Sequence, residues 1–207
     1  LDAHGPLDIV MNIAGTSTWG TVEQLQHRHW KKMVDINLMG PIHVMECLLP
    51  AMVRGRAGGH LVNVSSAAGL VALPMHAAYS AGKFGLRGIS EVLRYDLRRH
   101  GIGVSVVCPG AVKTPLINTA EIVGVDRTHP EARKFIERFE KRAVTPEQVA
   151  RKIISGMRNN TFIITTSLDI KFLYWCKRKI YVLYHIVMLL LNAMMTRILK
   201  QAGQDGR

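Results

Sequence analysis

Tyr79 and Lys83 stand four residues apart in Tyr79-Ser80-Ala81-Gly82-Lys83, and Ser66 stands thirteen residues upstream of Tyr79 in Asn63-Val64-Ser65-Ser66. Four residues make about one helical turn, so the phenol and the ammonium share a face. A cation beside a phenol favours the phenolate. The expected effect is a Tyr79 pKa drawn down from about 10 toward working pH. A tyrosine tuned in this way exchanges a proton with an alcohol or carbonyl oxygen. A serine hydroxyl from a neighbouring strand end can hold that same oxygen. The spacing alone also describes a surface tyrosine stacked on a lysine stem, so the surrounding elements decide.

Gly59-His60-Leu61-Val62-Asn63-Val64-Ser65-Ser66 reads as a buried strand running into a polar turn. Residues 77–100 read as a helix that Gly101 stops. Val104-Ser105-Val106-Val107-Cys108 is then a β-branched run broken by Pro109-Gly110. Strand, helix and strand at this spacing make a βαβ unit of a parallel sheet, with ligands expected at the carboxyl ends of the strands. The whole chain yields four expected strands, at 7–11, 60–64, 103–108 and 162–165. Helices are expected over 21–54, 77–100, 129–142 and 146–158, the last opening on Thr145 as cap and Pro146 at the first helical position.

In this order and spacing the chain resembles the short-chain dehydrogenase/reductase family over residues 5–165. The matching elements are Asn12-Ile13-Ala14-Gly15, Asn37, Ser66, Tyr79 with Lys83, and Pro109-Gly110-Ala111-Val112-Lys113-Thr114. The resemblance implies an α/β, Rossmann-like, doubly wound parallel sheet. It also implies a reversible alcohol oxidation or ketone reduction with NAD or NADP. Tyr79 would be the general acid/base, Lys83 would lower its pKa and bind the nicotinamide ribose, Ser66 would position the substrate oxygen, and Asn37 would hold a water of the proton relay. Asn12, Ala14 and Gly15 would lie beside the adenosine half. Pro109, Gly110, Val112 and Thr114 would line the nicotinamide half, with Val112 and Thr114 at its carboxamide. Residues 114–129, where periodicity lapses, would be the lid over the substrate.

Two local departures are visible. Ile13 replaces the second asparagine of the family's Asn-Asn-Ala-Gly, which puts one sheet hydrogen bond in question. Gly82 stands where serine is common, with little effect expected. A larger departure concerns the front. The family's Thr-Gly-x-x-x-Gly-x-Gly turn, which cradles the pyrophosphate at a helix N-terminus, does not occur in these 207 residues. The expectation is a fragment without its amino-terminal third, without turnover on its own, and with an unpaired apolar edge on its first strand. The residues that choose NAD over NADP belong to that front.

Apolar content of 48% and charged content of 20% describe a globular chain rather than a disordered one. Cys47, Cys108 and Cys176 show neither metal spacing nor a disulfide framework, which points to a reducing, cytoplasmic setting. No metal site is expected. His27 and His29 read as solvated helix residues, and Trp30, Met33, Ile36, Leu38, Met45, Leu48 and Met52 as core.

Beyond a catalytic part over 1–166, a tail over 167–207 is read as a basic, apolar helical region. Residues 180–196 carry no formal charge, with Lys177-Arg178-Lys179 before them and Arg197 and Lys200 after. Seventeen residues are short for a bilayer span of about 20. A helix at a membrane surface, through residues 170–200, is the favoured reading over a protein-docking helix. The net charge of +12 agrees with anionic headgroups, and no nucleic-acid motif accompanies it. The small residues Ala81, Gly82, Gly85 and Gly88 thin one helix face, and the resemblance implies a homodimer of the intact protein. The tail, with Val71, Ala72, Leu73 and Pro74 beside the site, points to an apolar, lipid-like alcohol or ketone. The rival functions are a catalytically silent member of the same fold and a peripheral membrane module.

Overall fold

A computed structural model describes Gly5 and residues 7–202. Four parallel strands form the central sheet in the order β1 (Ile9–Asn12), β3 (Gly59–Val64), β4 (Ile102–Cys108), β6 (Ile163–Thr165). Strand β2 (Thr18–Trp19) pairs separately with β5 (Glu121–Ile122). The helices are α1 (His27–Val34), α2 (Gly40–Gly55), α3 (Ala77–Asp96), α4 (Leu116–Thr119), α5 (Pro130–Lys141), α6 (Pro146–Arg158), α7 (Leu168–Lys179) and α8 (Tyr181–Ala202). The expected α/β architecture with a parallel sheet is therefore present.

β3 and β4 are buried on both faces, which is why they show no alternation of apolar and exposed polar residues; their polar members His60, Asn63 and Ser105 are themselves buried. On one face Val10, Leu61 and Val104 pack with Met45, Leu49 and Met52 of α2 and Leu86 of α3. On the other, Val62, Val107 and Ile164 pack with Ile153 of α6. β1 alternates instead: Val10 and Asn12 are buried, while Ile9 and Met11 are exposed. Among the described residues it pairs with β3 alone, and its exposed Ile9 and Met11 make that side of the sheet apolar.

The helix expected over 21–54 is divided. α1 begins only at His27, because the side chains of Gln26 and His29 cap each other's backbone N–H groups. Residues Asp35–Met39 then form a π-helical segment before α2. Such bulges recur at functional sites, and this one carries Asn37. Two core assignments change. Ile36 faces solvent, whereas His29, expected to be solvated, is buried, with Nδ1 accepting from the Gln26 N–H and Nε2 3.2 Å from Glu121 of β5. The pairing with β5 draws it inward.

α3 passes close to this segment. A Cβ on Gly82 would stand 2.9 Å from the Met33 carbonyl oxygen and 3.0 Å from Asn37 Cβ, so Gly82 sets the approach rather than being incidental. Gly85 packs on Leu38 in the same way, while Ala81 and Gly88 face outward.

Residues 114–129 are more ordered than a plain loop: α4 and β5 lie within them. The Arg127 guanidinium donates to the Ile117, Asn118 and Ala120 carbonyls. The tail is tied to the sheet through Cys176 and Tyr184, which pack with Leu70, Val71, Val106 and Cys108.

Candidate active site

The carboxyl ends of β1, β3 and β4 bring the sequence-derived residues to one edge of the sheet. β3 hands the chain to Ser65 and Ser66, and Ser66 caps a 3-10 turn over Ala67–Gly69 by accepting from the Ala68 N–H at 3.1 Å. Two reciprocal bonds fix α3 against this strand end. The Ser65 hydroxyl donates to the Lys83 carbonyl (2.8 Å), and the Lys83 ammonium donates to the Val64 carbonyl (3.0 Å). Gly69 permits the approach, since a Cβ there would strike the Lys83 carbonyl oxygen at 2.8 Å. One helical turn before Lys83, the Tyr79 phenol is buried, with the Ser66 hydroxyl near enough to pull its pKa down.

The electrostatics differ from the simple expectation. Burial pushes the Tyr79 phenol above its ordinary value, and only the Ser66 hydroxyl pulls it back. The anticipated lowering by Lys83 does not appear. The ammonium is committed to Val64, 5.8 Å from the phenol ring centroid, and burial pushes its own pKa down to about 8. Desolvation outweighs the cation–phenol attraction here.

Asn37 is wholly buried and grips the loop after β1: its amide donates to the Thr16 carbonyl (3.0 Å) and accepts from the Thr16 N–H (3.1 Å). Gly15 lies against both Asn37 and Lys83, where a Cβ would stand 2.9 Å from Asn37 Oδ1 and 3.2 Å from Lys83 Nζ. Ala14 beside it is exposed. Asn12 has turned inward, donating to Asn63 at 2.8 Å; Asn63 donates in turn to Ser90 at 2.9 Å. This chain of bonds stands although Ile13 is an exposed isoleucine. After β4, the Pro109 carbonyl accepts from the Ala67 N–H and the Gly110 N–H donates to Thr166. Val112 bridges to Val144, and the Thr114 N–H donates to the Val112 carbonyl. Asn12, Gly15, Asn37, Ser66, Tyr79, Lys83 and the 109–114 segment are thus brought to one sheet edge.

Of the apolar residues read as flanking the site, Leu73 packs beside Tyr79, but Val71 turns into the core against the tail. Sequence reasoning missed an aromatic cluster above Tyr79. The His76 ring lies 6.1 Å from Tyr79 and 4.6 Å from Trp19, and Trp19 lies 6.4 Å from Phe139. Burial drives His76 down to about 4, so it is neutral near pH 7, with Nδ1 at 2.6 Å from the Pro74 carbonyl. Three separate elements supply this cluster, and only the position of His76 one turn before Tyr79 hinted at it.

A buried tyrosine near a serine hydroxyl, with a buried ammonium one turn away, has the groups needed to exchange a proton with an oxygen. Residues 1–122 match the sequence model described as short chain dehydrogenase. The chain belongs to the short-chain dehydrogenase family. It is 33% identical over 168 residues to a 3-ketodihydrosphingosine reductase of Dictyostelium discoideum, covering 81% of this chain and 48% of that protein. It is 35% identical over 159 residues to a 3-dehydrosphinganine reductase of Danio rerio, covering 76% and 46%. A crystal structure of a short chain dehydrogenase/reductase from Burkholderia phymatum in complex with NAD superposes with a TM-score of 0.76, covering 88% of this chain and 69% of that one at 24% identity. The chain spans about half the length of these two reductases.

The family binds NAD or NADP, and the site suits such a ligand at one point. Among the described residues, the Lys83 ammonium has the Val64 carbonyl as its acceptor, which leaves N–H donors buried beside the bare backbone of Gly15. Sugar hydroxyls match that donor set.

Proposed function

We propose that this short-chain dehydrogenase carries the catalytic half of an NAD(P)-dependent oxidoreductase acting on an apolar, lipid-like ketone or alcohol. The observation that carries this reading is the buried Tyr79 phenol with Ser66 beside it, on a helix pinned to β3 by Ser65 and Lys83. When bound, the nicotinamide supplies or accepts the hydride. Lys83, Gly15, Asn12, Ala14 and the 109–114 segment would hold that cofactor. In reduction, Ser66 and Tyr79 both donate hydrogen bonds to the substrate carbonyl oxygen, and Tyr79 gives it the proton as the alcohol forms. In oxidation, Tyr79 takes the hydroxyl proton. A phenol held protonated by burial suits the reducing direction near neutral pH. Asn37 acts by fixing the loop at Thr16 and anchors the proton relay.

The lipid-like substrate is supported by the two sphingoid-base reductases among the relatives. A groove of about 270 Å³ adds to it, lying between Met195, Thr196 and Leu199 of α8 and the Met75–Ala77 segment that leads to Tyr79. Ala81, Gly88, Val92 and Tyr95 form an exposed stripe on α3 that suits a homodimer. Residues 1–166 would do the chemistry at the cytoplasmic face of a membrane, and residues 167–207 would meet the membrane surface.

The 207 residues include no glycine-rich phosphate-binding turn, so the chain alone should not turn over. The test is a chimera that adds the glycine-rich βαβ front of a solved relative, assayed with NADH and NADPH against long-chain ketones, 3-ketosphinganine among them. Turnover in the chimera should fall about 10²- to 10⁴-fold in Tyr79→Phe. A chimera that binds cofactor yet gives no turnover, or whose turnover ignores Tyr79→Phe, refutes the reading.

A further inference from the structure

α8 carries an 18-residue window with mean hydropathy 1.7, of which only 11% is buried. A core helix of that composition would be enclosed, so its exposure needs an explanation. Its inward stripe is narrow. Tyr184, Met188, Met195 and Ala202 fall within about 40° of one another at 3.6 residues per turn. That stripe is fastened at both ends to the same body. The Tyr184 hydroxyl accepts from the Ala72 N–H (2.8 Å), and the Ala202 carbonyl accepts from the Asp126 N–H (2.9 Å). Between them α8 lies along α5, with Phe135 and Arg138 facing Leu190 and Met194 across a groove. A helix of 22 residues is about 33 Å long, enough to cross a bilayer by length. Threading it through one would strip both of these attachments.

The opposite face presents Val182, Ile186 and Leu189, with Val182 71% and Leu189 55% exposed. α7 adds Leu168, Phe172 and Trp175, spaced to one side of that helix and exposed, with the Phe172 and Trp175 rings stacked at 6.0 Å. Lys171, Arg178, Lys179, Arg197 and Lys200 are exposed on the same two helices, Lys177 turns inward to the Leu70 carbonyl, and no acidic residue occurs between Asp169 and Ala202. A second copy seated on this surface would bring cations against cations. An anionic bilayer supplies both the apolar layer and the opposing charge, and exposed Trp175 and Tyr181 are the aromatic types that favour its interface.

We propose that α7 and α8 form an in-plane docking element for an anionic membrane surface: the outward faces enter the headgroup boundary while the Tyr184–Ala202 stripe keeps α8 on the protein. This deepens the membrane placement proposed above and is independent of the Tyr79 chemistry.

The test is flotation of the 207-residue chain on phosphatidylcholine vesicles with and without phosphatidylserine, with no cofactor or substrate present. Flotation separates bound protein from aggregate, which sinks. The chain should float with the serine lipid and not with phosphatidylcholine alone. Binding should weaken about fivefold for each cation removed, in Lys171→Gln and Arg197→Gln, and be lost in Ile186→Glu/Leu189→Glu. Trp175 emission should shift to shorter wavelength on binding, a change absent in Trp175→Phe. Tyr79→Phe should float like the parent, so failure here and failure of the catalytic reading are separable. Absence of flotation overturns the proposal. So does flotation that resists alkaline carbonate, which would indicate a span. A chain that stays in solution as a dimer and becomes monomeric in Ile186→Glu/Leu189→Glu overturns it too, in favour of self-association.

Discussion

Lys83 should leave a signature in the pH dependence of stability. Its ammonium is buried, and its pKa falls from 10.5 to about 8 on folding. Between those values the unfolded state binds the proton and the folded state does not, so stability rises with pH. Lys83 alone contributes about 1.4 kcal/mol of added stability between pH 7 and pH 9. Cys108 opposes it. Burial pushes that thiol up from 9.0 to about 12, so above pH 9 the unfolded state loses a proton the folded state keeps, and stability falls. By pH 9 the thiol has cancelled about 0.4 kcal/mol, leaving a net gain of about 1 kcal/mol. Tyr79, raised from 10.0, adds to the decline above pH 10. The expected profile rises from pH 7 to 9, flattens, then descends. Urea denaturation at half-unit steps across pH 7–10.5 reads it directly. Lys83→Met should abolish the rise and keep the descent, whereas Cys108→Ala should carry the rise on toward pH 10. A Lys83→Met chain that still gains stability from pH 7 to 9 would show that the ammonium is not the buried group the geometry describes.

Asn63→Ala should cost about 2–4 kcal/mol, because it removes two buried bonds and strands the Asn12 amide. The double variant with Asn12→Ala should cost less than the sum of the singles, measured by the same denaturation. Gly82→Val should destabilise by about 1–3 kcal/mol, since its Cβ meets the Met33 carbonyl at 2.9 Å. It should also loosen the Thr16 loop held by Asn37, seen as faster amide exchange at Thr16.

The strands were legible because β3 and β4 are runs rich in valine, leucine and isoleucine ended by glycine, serine or proline, and α6 because Thr145 and Pro146 announce it. The break at Gln26 was not: glutamine and histidine are weak cap signals, and His29 is buried by Glu121, ninety-odd positions away in sequence. The β2–β5 pair is two residues long, too short for any periodicity to show. At the site, Tyr79, Lys83 and Ser66 could be placed by spacing and order, since one helix and one strand end carry all three. The direction of the Tyr79 shift could not, because sequence reveals which groups are neighbours and not how much water they lose. Trp19, His76 and Phe139 meet only through tertiary packing, so their pattern is absent from any local window.

Ser65 and Lys83 show why the site is formed by the chain itself. Each donates from its side chain to a carbonyl on the other's element, so β3 and α3 cannot slide relative to each other without breaking two bonds at once. Tyr79 rides on α3 and Ser66 follows Ser65, so the same clasp holds the two residues near each other. The burial that makes the clasp tight also makes Lys83 expensive to charge, by roughly 3 kcal/mol at neutral pH. A ligand offering hydroxyl oxygens to the free Lys83 donors would relieve part of that cost. Cofactor binding should therefore raise the Lys83 pKa and shift the stability rise to higher pH, a displacement the same urea series would register in the cofactor-binding chimera.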